Sequence, residues 1–258
     1  LNEGKTMTNC QNYGKITVTA AIGIPGNADR KGADCFIGGF AYAVPAASSM
    51  RTYTNCHNHG DIELTPEAEI AGAIRMGGMF ANIEEDTASV TLDGCSNTGD
   101  IKVSCQNSLG EGSNFYVAGC IASISKKTSL VVKNGLVNAG DITVDGGNKT
   151  SAVHMAGLIG TISSTVTTDL SGHLVNTGNF TFSGNTKTYL RIGGVVGVHS
   201  AASFTAPMIS TGNITVTGTC DLTSASTQIG GITAAHANPI TNAQYYGNIK
   251  AIGYPCVG

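Results

Sequence analysis

The sequence predicts an all-β chain: one parallel β-solenoid domain spanning residues 1–258, with six to seven coils of about 39 residues each and little or no α-helix. Three observations carry this expectation. Glycine takes 35 of 258 positions, about twice its usual share of roughly 7%. A motif of the form Asn-x-Gly-polar-aliphatic recurs along the whole chain, and a second, double-glycine motif is interleaved with it. Regular recurrence at 20–50 residues is the signature of stacked repeats.

The first motif reads NYGKI at Asn12, NHGDI at Asn58, NTGDI at Asn97, NAGDI at Asn138 and NTGNF at Asn176, then STGNI at Ser210 and YYGNI at Tyr245. Its glycines, Gly14, Gly60, Gly99, Gly140, Gly178, Gly212 and Gly247, are separated by 46, 39, 41, 38, 34 and 35 residues. That wander places insertions in loops outside the repeated unit. Two residues after each glycine stand Ile16, Ile62, Ile101, Ile142, Phe180, Ile214 and Ile249; four after stand Val18, Leu64, Val103, Val144, Phe182, Val216 and Ala251. The residues between are polar or β-branched, among them Thr17, Glu63, Lys102 and Thr143. This is the period of 2 expected of a half-buried strand.

The second motif reads IGGF at Ile37, MGGM at Met76, VAGC at Val117, MAGL at Met155, IGGV at Ile192 and IGGI at Ile229. The half-motifs do not superpose on each other, so the coil is expected to be about 39 residues and not about 20. Further strands are expected in stretches such as SVTL at Ser89 and SLVV at Ser129. No segment sustains a 3.6 period with caps. Corner glycines are expected to turn the chain with positive φ, and corner asparagines to bond neighbouring backbone.

Composition excludes several classes. Charged residues are only 12%, the net charge is −3 and hydrophobic residues reach 41%, which argues against disorder and against nucleic acid as a partner. The longest apolar run, Phe36 to Ala47, is broken by Pro45 and falls short of the roughly 18 residues of a membrane span.

The run IGGVVGV from Ile192, followed by STGNITVTG from Ser210, resembles the GLUG-motif repeat over roughly residues 10 to 252. VAGCIAS at Val117 lacks the paired glycine and IGGFAYA at Ile37 lacks the final one. The resemblance implies a β-solenoid of a bacterial secreted or cell-surface protein of adhesin type, with a host protein or glycan as partner and no catalytic residues.

Individual columns carry the chemical candidates. The residue after each corner glycine is Lys15, Asp61, Asp100, Asp141, Asn179, Asn213 or Asn248. Turn hydrogen bonding is the first reading, because Asp and Asn belong at turns. Calcium held by Asp61, Asp100 and Asp141 is the second, with no other cofactor expected. The third is a β-helical carbohydrate-active enzyme using this column as acid and base.

Cys10, Cys56 and Cys95 share an inward column with Leu136, Leu174, Met208 and Ala243, and Cys120 shares one with Phe40, Met79, Leu158, Val195 and Ile232. They read as small reduced hydrophobes, whereas Cys35, Cys105, Cys220 and Cys256 fall on no recurring column. Val44, Ile83, Ile124 and Ile162 continue into His199 and His236, read as a widened or hydrated end of the core, a metal or pH-sensitive pair being the alternative. His57 and His59 face one side of a strand and read as a solvated pair, a metal being the alternative. Leu1 enters the repeat almost at once, and neither end offers a capping helix. End-to-end packing on further repeats or on a partner domain is therefore expected.

Overall fold

The computed structural model describes residues 5–19, 34–43, 51–66, 72–83, 89–105, 114–147, 150–200, 205–220 and 226–253. Among them there is no helix, and hence none long and apolar enough to cross a membrane. Every strand pairing is parallel and links equivalent positions of successive coils, from Asn12 to Asn58 and on to Ser210 and Tyr245. The chain is a β-solenoid built on the long repeat.

Three sheets run along it. One central coil shows the plan. Ser89–Asn97 lies in the first sheet, Ile101–Ser104 and Asn114–Ala118 lie in two halves of the second, and Ile121–Ile124 lies in the third. The two halves of the second sheet join through Phe180–Gly193, which runs unbroken from one half to the other.

Two cores result. The first and third sheets enclose Met79, Phe80, Leu92, Cys95, Ile121 and Leu136 with their equivalents. The halves of the second enclose Ile62, Leu64, Ile74, Met76, Phe115 and Val117 with theirs. Strands alternate as the sequence predicts: Ile101 and Val103 are buried on either side of exposed Lys102. Burial of each such aliphatic side chain contributes roughly 1.5–3 kcal/mol.

Between the cores runs a column of asparagines. Asn12 donates from Nδ2 to Oδ1 of Asn58 at 2.7 Å, Asn58 to Asn97 at 2.7 Å, Asn97 to Asn138 at 2.8 Å and Asn138 to Asn176 at 2.9 Å. Asn176 then reaches Ser210 Oγ at 3.4 Å. The second amide proton is used as well: Nδ2 of Asn97 donates to the Gly99 carbonyl at 2.8 Å, and Asn138 does so to Gly140 at 2.9 Å. Four of these amides, at Asn58, Asn97, Asn138 and Asn176, are fully buried, so saturation of their donors is what makes the column tolerable.

The glycines serve a different purpose from the one expected. Positive φ occurs at Gly94, Gly135, Gly147, Gly184, Gly218 and Gly253, and at none of the repeated corners. A Cβ at Gly99 would collide with the Gly60 carbonyl, and one at Gly119 with the Gly157 carbonyl and the Asn138 side chain. Close approach, not turning, requires them.

Six cysteines among the described residues are free. Cys56, Cys95 and Cys120 are buried in the first core, with Cys10 packed against it. Cys35 and Cys105 are both buried in the second core, and Cys35 corrects the expectation of no column. Cys35 stands in register with Ile74, Phe115, Val153 and Leu190, a column four residues before each second glycine. Burial pushes the Cys35 and Cys95 thiols up to about 11 and Cys105 up to about 12, which keeps them protonated and unreactive. Val44 and Cys256 lie outside the described residues, as does the Cys220 side chain.

Candidate functional site

Asp61, Asp100 and Asp141 stand one level apart on the exposed turn. Asp61 Oδ1 accepts the Asp100 amide at 2.9 Å, Asp100 Oδ1 the Asp141 amide at 2.8 Å, and Asp141 Oδ1 the Asn179 amide at 2.8 Å. Asn179 and Asn213 continue the pattern onto Asn213 and Asn248, both at 3.0 Å. One oxygen of each side chain therefore clips the next coil. Among the described residues no three His, Cys, Asp or Glu side chains converge as a metal site.

The histidine pair is tied down laterally. His57 Nδ1 lies 2.7 Å from Ser96 Oγ and His59 Nδ1 lies 2.7 Å from Thr98 Oγ1, with ring centroids 6.0 Å apart. Tyr13 stacks on His59 at 4.8 Å. His199 is buried and in register with exposed His236. Burial, with a smaller contribution from His236, pulls the His199 imidazole down to about 4.

A column that the sequence reading passed over lies on the outer face of the second sheet. Phe36, Arg75, Tyr116, His154, Arg191 and Gln228 stand in register, three residues before each second glycine. Arg75 lies between two rings, 5.0 Å from the Phe36 centroid and 5.2 Å from Tyr116. Its Nη1 meets Asp34 at 2.6 Å. Tyr116 and His154 stack at 5.0 Å with planes 3° apart, and Arg191 Nε donates to Gln228 Oε1 at 2.8 Å. Burial, then the Arg191 charge, pulls His154 down to about 4, so its ring is neutral at pH 7.

The double-glycine bend carries the chain from one core to the other, and outside it lies a notch. There the outer face of the second sheet meets that of the third in a groove of about 340 Å³. Arg75, Tyr116 and His154 form one wall. Hydroxyls form the other: Ser123 and Thr161 within the third sheet, and Ser125, Ser163 and Ser200 just beyond its strands. Thr161 donates to Ser123 Oγ at 3.1 Å. Three buried polar atoms belonging to this lining, Arg75 Nε, Ser125 Oγ and His154 Nδ1, have no hydrogen-bond partner.

No protein-family model, no curated protein and no solved structure matches this chain.

Proposed function

We propose that this chain is a non-enzymatic, adhesin-like binding and display module of a bacterial secreted or cell-surface protein, with a glycan or a host protein as partner. The observation that carries the reading is a division of labour among polar groups. The repeated ones, the Asn column and the Asp/Asn turn column, are engaged with neighbouring coils. Arg75, Tyr116 and His154, which differ from coil to coil, form one wall of a groove in which buried polar atoms lack partners. A scaffold whose repeated polar groups are engaged, with a groove that gathers three unpartnered polar atoms, suits recognition. The resemblance of IGGVVGV and STGNITVTG to GLUG repeats supports the address outside the cell.

An array of glycans and host extracellular proteins, probed with the intact chain, tests this. Retention on one class without turnover is the expected result. Glycan cleavage that is lost in Asp100→Asn would overturn it in favour of the carboxylate column as a catalytic pair. Protease shaving of intact producing cells tests the location: the chain should be removed from the surface or recovered from the medium.

A further inference from the structure

The geometry points to the notch outside the double-glycine bend as a binding site for a neutral, linear glycan lying along the solenoid axis. This rests on the reading of the chain as a binding module and names its site and ligand class.

Four observations lead there. First, His154 is only 7% exposed and lines the groove. Its Nδ1 has no partner, although burying an imidazole nitrogen without one is costly. Second, Ser125 Oγ and Arg75 Nε, in the same lining, share that condition.

Third, the groove is not an anion site. Its one guanidinium is already neutralised by Asp34, and the imidazole beside it is uncharged at pH 7. Both faces of Tyr116 are covered, by Arg75 and by His154, so no ring face is left for a planar ligand. Recognition falls to ring edges and hydroxyls, the groups that bind sugar hydroxyls.

Fourth, the hydroxyls repeat. Ser125, Ser163 and Ser200 occupy the same position of three successive coils, their amides bonded to the Ile83, Ile124 and Ile162 carbonyls of the coils before. They are therefore spaced by the strand separation, about 4.8 Å, which is close to the length of one pyranose unit. Val198, partly exposed on the outer face of the third sheet, adds an apolar contact in the same lining, suited to the C–H face of a sugar ring. An extended peptide would run across the strands in this notch and find no free sheet edge to pair with.

The test is titration calorimetry of the full chain against neutral linear hexasaccharides of β-linked glucose, N-acetylglucosamine and mannose. Polygalacturonate serves as the acidic control. At least one neutral hexasaccharide should bind the unmodified chain. His154→Phe keeps the stack on Tyr116 and removes both nitrogens, and it should weaken binding at least tenfold. Ser163→Leu, which fills the groove from the other wall, should abolish it. Thr143→Val, on the outer face of the other half of the second sheet, should leave it unchanged. Circular dichroism melting of each variant identifies any that is unfolded, and the remaining groove variant then decides.

Unchanged affinity in the folded groove variants overturns the inference, as does binding of polygalacturonate alone. Absence of hexasaccharide binding overturns it too, and if the array retains a host protein, the reading as a binding module stands without it. Failure on the array and in the titration together would sink both.

Discussion

Asn138 holds three hydrogen bonds in a site with no access to water. It accepts from Asn97 at 2.8 Å and donates to Asn176 and to the Gly140 carbonyl, both at 2.9 Å. Asn138→Ala strands donors and acceptors on both neighbouring coils, at about 1–3 kcal/mol for each buried group left unpaired. Chemical denaturation should show a loss of roughly 3–5 kcal/mol, near the top of the range for single substitutions. Asn138→Asp should be worse than its size suggests, because it sets acceptor against acceptor at Asn176. Gly119 presses on the same amide, so Gly119→Ala should cost about 3 kcal/mol or more through overlap alone. Two histidines set a pH dependence at this scale. His154 and His199 are each pulled from 6.5 to about 4 by burial, assisted by Arg191 and His236 respectively. The unfolded chain binds protons that the folded chain refuses, so stability is full above pH 6.5 and falls as pH drops towards 4. The loss is up to about 3 kcal/mol for each histidine. Urea midpoints measured from pH 7 to pH 4 should show this fall, and either His154→Phe or His199→Ile should reduce it by about half.

Among the strands, the exposed turn column acts as a clip between successive coils. Asp100→Asn keeps the acceptor for the Asp141 amide and removes a like charge, so stability should stay within about 0.5 kcal/mol of the unmodified chain. Asp100→Ala loses the acceptor; water replaces much of it at this exposed turn, and the cost should be about 1 kcal/mol. A denaturant series comparing the two separates the hydrogen bond from the charge. The strands themselves were legible because alternation and burial follow from the same residues: Ile101, Lys102 and Val103 predict a half-buried strand and form one. Register was legible for a similar reason, since a one-residue slip would bury Lys102. Two things were not legible. The two-core cross-section depends on which strands face each other, and alternation within a strand says nothing of that. The column of Phe36, Arg75, Tyr116, His154 and Arg191 carries a different residue at each level, and a search for recurrence passes over whatever does not recur. Its signal was positional: three residues before each second glycine stands a large or polar side chain in every coil. Cys35 was missed for a related reason, because its column-mates Ile74, Phe115, Val153 and Leu190 share burial without sharing shape.

Over the whole molecule, the strand pairings of the described residues join each coil to its immediate neighbours, so stability is close to a sum of coil and interface contributions. Side chains of the central coils are buried, whereas those of residues 243–252 are largely exposed, Ile249 at 40% and Ile252 at 49%. Hydrogen exchange should therefore be graded along the axis. Amides of Ile101, Ile142 and Phe180 should be the slowest, and those of Ile249 and Ile252 among the fastest. Uniform protection from end to end would contradict this picture.

The asparagine column also gives the molecule a sense of direction. Every carboxamide along it points its Nδ2 the same way, from Asn12 towards Asn176, and the last one meets the hydroxyl of Ser210. The dipoles add head to tail, and the two ends of the column differ in chemistry. The Asn12 end offers an oxygen, which already accepts the Gly14 amide at 3.0 Å. A further coil continuing the column there must arrive with a donor. A copy turned end for end would bring a second oxygen and be repelled. Stacking in series is thus polar by construction, like bricks keyed on one face only.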